Sequence, residues 1–198
     1  MSERKLSVTQ GDITLLSLEG GALINPSNTG MILGSGVGEA ITRRAGPMIQ
    51  QTLHMKRSQL PGNRLQPGQA TETEAGELSA DRLVHVSILG ADDVDERLIS
   101  DCILNAYDLC DDLELDPVAF PPLGVELAQF PIEKFFELFL RITSEELPRA
   151  NHIENVILCC LDEEDFKEAE AFFDEHGDEL PDAIELEVDE SGIGPGFM

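Results

Sequence analysis

The stretch that decides the fold covers residues 22–38 and reads ALINPSNTGMILGSGVG. Its first three residues are apolar and predict a buried strand, which the segment NPSN at residues 25–28 ends. A glycine-rich loop follows. Residues 39–56 then read as helical, with a break at Gly46-Pro47 because proline cannot donate a hydrogen bond to the preceding turn.

Outward from this stretch, strands and helices alternate along the chain. Apolar or alternating segments predict further strands at residues 6–9, 70–74, 83–89, 117–121, 156–161 and 184–188. Amphipathic spacing predicts helices at residues 97–113, 132–147 and 163–176. We therefore predict an α/β fold, a three-layer α/β/α sandwich around a central mixed, mostly parallel sheet. One domain would cover residues 1–176, and residues 177–198 would form an acidic C-terminal extension that contains an edge strand.

Length and charge narrow the function classes. The chain has 198 residues, enough for one domain with its own core, and 13 basic against 39 acidic residues give a net charge of −26. The acidity is concentrated in the second half, since residues 1–100 carry a net −3 and residues 101–198 a net −23. Such a field repels nucleic acids and anionic lipid surfaces, so we expect neither as a direct partner. A basic protein would be a compatible partner.

Residues 40–71 depart from this acidity. They contain no acidic residue but five basic ones. The absence of carboxylates would leave room for a small anion, because like charges at short range weaken the binding of a phosphate. An ordinary helix face and loop without acids explains the same pattern.

Several site classes find no support in the sequence. It has no GxxxxGK[ST], HExxH or GxSxG motif, its four cysteines have no CxxC spacing, and its four histidines have no ligand spacing. We therefore predict no metal site and no cofactor. No apolar run approaches the about 20 residues of a membrane helix, and residues 1–10 lack the apolar stretch of a signal peptide. We expect a cytoplasmic protein without membrane attachment.

The glycine loop and the helix after it suggest a binding site. Backbone N–H groups at Gly36, Val37 and Gly38 would be unpaired at the start of that helix and could point at an anion. Asn25 and Asn28 follow the buried strand at its carboxyl end, where ligands bind in open α/β sheets, and a carboxamide can bind a sugar hydroxyl. The residues alone thus indicate a phosphate and sugar site. The alternative is an ordinary glycine-rich loop capped by asparagines.

The order of these motifs resembles the macro domain family, which binds ADP-ribose and its derivatives. The resemblance is collinear over residues 6–176. GDIT at residues 11–14 matches the family's opening motif, and ALINPSN at residues 22–28 is similar to its apolar strand followed by NAAN. GSGV at residues 34–37 matches its first phosphate loop, and residues 40–47 resemble its AI-x-RAAGP helix.

The resemblance implies a ligand-binding role for particular residues. Asp12 would accept from the adenine amino group, and Asn25 and Asn28 would lie on the ribose side. Leu161 stands where the family often has an aromatic residue that stacks on adenine. The full predicted set is Asp12, Ile13, Asn25, Asn28, Gly34, Ser35, Gly36, Val37, Gly124, Val125, Glu126, Leu127 and Leu161.

The second phosphate loop departs from the family pattern. Family members carry a glycine-rich loop such as FPALGTGVGGFP, whereas residues 120–131 read FPPLGVELAQFP. Glu126 brings a carboxylate to the place of the diphosphate, and Leu127 is bulky enough to narrow the groove. These changes predict weaker binding. The hydrolases of the family usually have an aspartate where this chain has Gly38, so no catalytic residue is assigned.

We interpret the chain as a binding module for ADP-ribose or a related nucleotide metabolite, with ADP-ribose or an ADP-ribosylated protein as its partner. Two alternatives stay open. One is an ADP-ribosyl hydrolase that acts through a bound water oriented by Asn28. The other is a degenerate macro-like scaffold whose acidic surface recruits a basic protein.

Overall fold

The computed structural model describes residues 4–90 and 93–189. The strands are β1 (Arg4–Gln10), β2 (Leu18–Asn28), β3 (Ala70–Glu74), β4 (Ala80–Leu89), β5 (Val118–Phe120), β6 (Asn155–Cys160) and β7 (Ile184–Asp189). The helices are α1 (Val37–Arg44), α2 (Ile49–Gln59), α3 (Glu96–Asp112), α4 (Val125–Ala128), α5 (Ile132–Glu146) and α6 (Glu163–His176). Short 3-10 helices cover Ile13–Leu15, Pro61–Asn63 and Gly177–Glu179.

The strands form one sheet in the order β3-β4-β2-β5-β6-β1-β7. β3 is antiparallel to β4, and every other neighbouring pair is parallel. The predicted mixed, mostly parallel sheet is confirmed. Because parallel strands end at the same edge of a sheet, the segments that follow β1, β4, β5 and β6 come together there.

Two apolar clusters cover the two faces of the sheet. Successive strand residues point to opposite faces, so Leu23 packs in one cluster and Ile24 in the other. The larger cluster joins the sheet to α3, α5 and α6, and Phe135, Phe136 and Phe139 of α5 are completely buried there. The smaller cluster joins the sheet to α1 and α2. This arrangement is the predicted three-layer α/β/α sandwich.

Strand β2 runs further than the sequence indicates. The prediction that NPSN ends the strand is wrong, because Asn25, Pro26 and Ser27 pair in register with His85, Val86 and Ser87 of β4. On its other side β2 pairs with β5 only at Ala22 and Leu23. Pro26 therefore lies beyond the part of β2 that β5 covers, a place where proline is compatible with a strand.

Strand β7 lies at one edge of the sheet and pairs in parallel with β1. The segment Ile184–Asp189 of the predicted C-terminal extension is thus part of the sheet. Residues 190–198 of that extension lie outside the described residues. Within the described ranges, no helix has the length and apolarity needed to cross a bilayer.

Candidate functional site

A cleft of about 320 Å³ lies at the carboxyl ends of the parallel strands. Its lining includes segments directly after β1, β5 and β6: residues 11–13, 121–122 and 161–162. Gly36 and Val37, at the start of α1, also line the cleft, as do residues 124–127. The topology therefore gathers residues that are far apart in the sequence around one cavity.

Asp12 is held in a fixed orientation at this cleft. Its Oδ1 accepts from the backbone N–H of Thr14 at 3.0 Å and from the Thr14 hydroxyl at 2.6 Å, so it caps the 3-10 helix Ile13–Leu15. Its Oδ2 lies 3.4 Å from Nε of Arg44. These bonds occupy Oδ1 fully and leave acceptor capacity on Oδ2.

Cys159 also lines the cleft. Its Sγ donates to the carbonyl oxygen of Gly11 at 3.2 Å. Burial, together with the charge of Asp12, raises the pKa of the Cys159 thiol to about 12. The side chain is therefore a protonated thiol at neutral pH that fixes the turn after β1, and it is not a thiolate nucleophile.

The first glycine loop contributes only its last part to the cleft. Gly36 has a φ of 57° and precedes α1, and its carbonyl accepts the first intrahelical hydrogen bonds. Gly34 and Ser35 are exposed and do not line the cavity. The N–H groups of Gly36 and Val37 have no partner within α1, as expected for the start of a helix.

Asn28 does not line the cleft either, because it holds the loop together. Its Oδ1 accepts from the N–H groups of Gly30 at 3.0 Å and of Ile32 at 3.2 Å. Its Nδ2 donates to the carbonyl oxygen of Ile32 at 2.7 Å. All these bonds are local to the turn after β2, so the side chain stabilises the loop that leads to Gly36.

Asn25 points away from the cleft into the interior. Successive strand residues face opposite sides, and it is the next residue, Pro26, that lines the cavity. The Nδ2 of Asn25 lies 3.0 Å from Nδ1 of His85, and Nε2 of His85 lies 2.9 Å from Oγ1 of Thr73. Burial lowers the pKa of His85 to about 4, so the imidazole is neutral at pH 7. The three side chains form a buried polar chain between β2, β4 and β3.

The second loop, residues 121–131 between β5 and α5, forms the wall of the cleft opposite Gly36. Leu123 and Phe130 are buried and anchor its two ends, and α4 lies between two left-handed residues, Gly124 with φ 80° and Gln129 with φ 54°. A Cβ atom on Gly36 would lie only 2.6 Å from Oε2 of Glu126. The carboxylate of Glu126 therefore rests directly on the first loop, across the cleft.

Leu161 also lines the cleft and is 59% exposed. It follows β6, which pairs with β1, so it lies beside the segment that carries Asp12. Asp162 and Asp165, at the start of α6, also line the cleft. Burial and the neighbouring charges of Asp162 and Glu164 raise the pKa of Asp165 above its ordinary value. These two aspartates are not among the thirteen predicted site residues, although Asp162 directly follows Leu161.

The lining is acidic as a whole. Four carboxylates, those of Asp12, Glu126, Asp162 and Asp165, face one cationic side chain, Arg43. Arg43 itself forms an ion pair with Glu39 at 2.9 Å. The cleft therefore lacks the surplus of positive charge that would attract a phosphate from a distance.

Most of the basic residues between 40 and 71 bind groups of the protein itself. Besides Arg43 and Arg44, Lys56 forms an ion pair with Glu72 at 2.8 Å, and Arg57 donates to the carbonyl oxygen of Gly30 at 3.1 Å. The last two contacts join α2 to β3 and to the loop after β2. The acid-free stretch thus contributes mainly to the fold around the cleft.

The structure brings nine of the thirteen predicted residues together around the cleft: Asp12, Ile13, Gly36, Val37, Gly124, Val125, Glu126, Leu127 and Leu161. The other four, Asn25, Asn28, Gly34 and Ser35, lie outside its lining. In residues 4–90 and 93–189, no three His, Cys, Asp or Glu side chains are grouped to hold a metal ion.

The sequence of this chain is similar to that of known proteins. The family model described as Macro domain matches residues 24–139. The chain is 32% identical over 165 residues to the O-acetyl-ADP-ribose deacetylase of Cronobacter sakazakii, which covers 82% of this chain and 89% of that protein.

Solved structures also share the fold. The Oceanobacillus iheyensis macrodomain with ADP has a TM-score of 0.77 at 24% identity, covering 87% of this chain and 92% of that chain. The Trypanosoma brucei macrodomain in complex with ADP-ribose has a TM-score of 0.74 at 22% identity, covering 84% of this chain and 68% of that chain.

Proposed function

This chain belongs to the macro domain family, and from that premise we propose that its cleft binds ADP-ribose or a related adenine nucleotide. The observation that carries the proposal is the position of Asp12. It lies at the carboxyl edge of the sheet, in a cleft with Leu161 and the start of α1. One carboxylate oxygen is fixed by Thr14, and the other retains acceptor capacity for an exocyclic amino group.

The base would lie at the end of the cleft formed by Asp12, Ile13 and Leu161. Both apolar side chains can pack on a purine, and the Asp12 carboxylate accepts from its amino group. A diphosphate would extend toward Gly36 and Val37, whose amide groups lack partners within α1. Residues 124–127 would cover it from the other side.

An ADP-ribosylated protein is a second form in which the same ligand would be presented. The proposal extends to this partner because the relatives and neighbours are named for ADP-ribose compounds. A pull-down with mono-ADP-ribosylated and unmodified samples of one protein tests it, since only the modified sample is expected to bind.

Hydrolysis of an ADP-ribose derivative is the second candidate function, and the deacetylase relative favours it. Two features of this chain favour binding instead. A buried glycine, Gly38, stands at the position of the family's usual aspartate, and the Asn28 amide is engaged within its own loop. We expect no release of acetate from O-acetyl-ADP-ribose above the rate without enzyme, and turnover at catalytic enzyme concentration would favour the hydrolase.

Calorimetry with ADP-ribose tests the binding function. We expect saturable 1:1 binding and, at 100 times the dissociation constant, about 2.7 kcal/mol of added stability. The isosteric variant Asp12→Asn keeps an acceptor for Thr14 but replaces Oδ2 with a donor. Because a hydrogen bond to a charged group contributes about 1.5–3 kcal/mol, binding should weaken at least about tenfold.

Asp174→Asn is the matched control, since Asp174 is an exposed carboxylate on α6 and does not line the cleft. It should bind as the wild type does. Absence of binding by the wild-type protein, or equal binding by the wild type and Asp12→Asn, would contradict the proposal.

A further inference from the structure

The cavity stops where the two loops meet. Gly36 and residues 124–127 line it, whereas Gly34, Ser35 and Asn28, which precede Gly36 in the first loop, do not. At this point the Glu126 carboxylate lies against Gly36, with Oε2 and Oε1 at 2.6 and 3.2 Å from the position of a glycine Cβ. The side chain of Glu126 thus spans the cleft from one wall to the other.

No cation explains this position of Glu126. Across the part of the chain that the structure describes, no Lys, Arg or His nitrogen lies within ion-pair distance of its carboxylate. Arg43, the cationic side chain in the lining, is paired with Glu39. Glu126 is therefore positioned by its short helix and by the open surface of a glycine, and it brings a negative charge without a cationic partner to the place where the second loop meets Gly36.

The loop that carries Glu126 is fixed, whereas its side chain can turn. Leu123 and Phe130 are buried at the two ends of the loop, and the N–H groups of Ala128 and Phe130 both donate to the carbonyl oxygen of Gly124, at 3.0 and 3.1 Å. Glu126 itself is exposed. Exposed side chains change rotamer within nanoseconds, so the barrier at Gly36 is removed by rotating one side chain and needs no refolding of the loop.

We infer that Glu126 is a specificity-determining residue that limits how much of the ligand the protein contacts: it admits an adenine nucleotide up to its diphosphate and keeps a sugar attached beyond it from contacting the first loop. This inference rests on the proposed function. The cleft volume of about 320 Å³ lies at the lower end of the range of about 300–1,000 Å³ for small-molecule sites. A distal ribose would reach the loop from Asn28 to Ser35 only after Glu126 has turned away.

Comparison of ADP with ADP-ribose in the wild type and the variants tests this effect, because the two ligands differ by the distal ribose and by the one ionisation that its ester bond removes from the terminal phosphate. Calorimetry on the wild type should give dissociation constants within about threefold of each other, since the added sugar gains no contact. In Glu126→Ala the sugar gains access to the first loop, and ADP-ribose should bind at least about tenfold more tightly than ADP. Glu126→Gln separates the effect of charge from that of size. If the preference for ADP-ribose over ADP also rises in Glu126→Gln, the charge of Glu126 is the barrier. If this preference rises only in Glu126→Ala, the bulk of the side chain is the barrier.

Glu133→Gln is the charge-matched control, as Glu133 is an exposed acid at the start of α5 outside the cleft. The ratio of its dissociation constants for ADP and ADP-ribose should equal that of the wild type. A wild type that already prefers ADP-ribose over ADP by more than about tenfold overturns the inference, and so does an unchanged ratio in both Glu126 variants. In these two cases ADP still binds and the proposed function stands. Absence of binding by either ligand in every variant overturns both.

Discussion

Replacement of Leu161 by phenylalanine should tighten the binding of adenine nucleotides. Leu161 is 59% exposed and lines the end of the cleft next to Asp162. The larger ring can therefore be accommodated without repacking the core. An aromatic pair contributes about 0.5–1.5 kcal/mol beyond its buried area, which corresponds to about a two- to twelvefold lower dissociation constant.

Calorimetry with AMP and with ADP-ribose measures this change, and both ligands should gain by the same factor because they share the base. Leu113→Phe is the control, because Leu113 is also partly exposed, at 39%, but follows α3 and does not line the cleft. Unchanged or weaker binding by a Leu161→Phe variant with wild-type thermal stability would refute a base position on Leu161.

Three further predictions concern stability and electrostatics. Phe136→Ala should lower the free energy of unfolding by about 3–5 kcal/mol in urea, because Phe136 is fully buried among aromatic rings, and a loss below about 1 kcal/mol would contradict this packing. The pKa of His85 is lowered from 6.5 to about 4, so between these values the unfolded chain takes up a proton that the folded chain does not. As the pH falls through this window, the free energy of unfolding of the wild type should therefore decrease by about 3 kcal/mol more than that of His85→Gln, as measured by urea unfolding. Parallel plots of unfolding free energy against pH for the two proteins would argue against a neutral buried imidazole. Because the cleft is lined by carboxylates, adding salt up to about 0.5 M should strengthen or leave unchanged the binding of ADP, whereas a marked loss of affinity would indicate a cationic clamp.

Local patterns in the sequence were sufficient for the main elements. The alternation of Val84, Val86 and Ile88 predicts β4, and the amphipathic stripe of α3 predicts a helix within one residue of its observed ends. These patterns succeed because each reports which face of a single element is buried. The predicted end of β2 was wrong because pairing with β4 overrides the local turn preference of NPSN. That pairing involves residues 60 positions away.

The site was harder to predict in detail. Asp12 and Leu161 line the cleft, as the order of the motifs suggested. Both follow parallel strands, and residues in that position lie at the carboxyl edge of the sheet. The direction of Asn25 follows from the continuation of β2 alongside β4, and the contact of Glu126 with Gly36 joins two loops 90 residues apart. Such contacts leave no signal in the local sequence, because they are set by the packing of separate elements.

A crystal structure of this protein with bound ADP would show where the nucleotide lies. We expect an adenine ring packed on Leu161 with its amino group within hydrogen-bond distance of Oδ2 of Asp12, and a diphosphate that ends at Gly36. An ADP molecule seated elsewhere on the protein, with the cleft empty, would contradict this expectation.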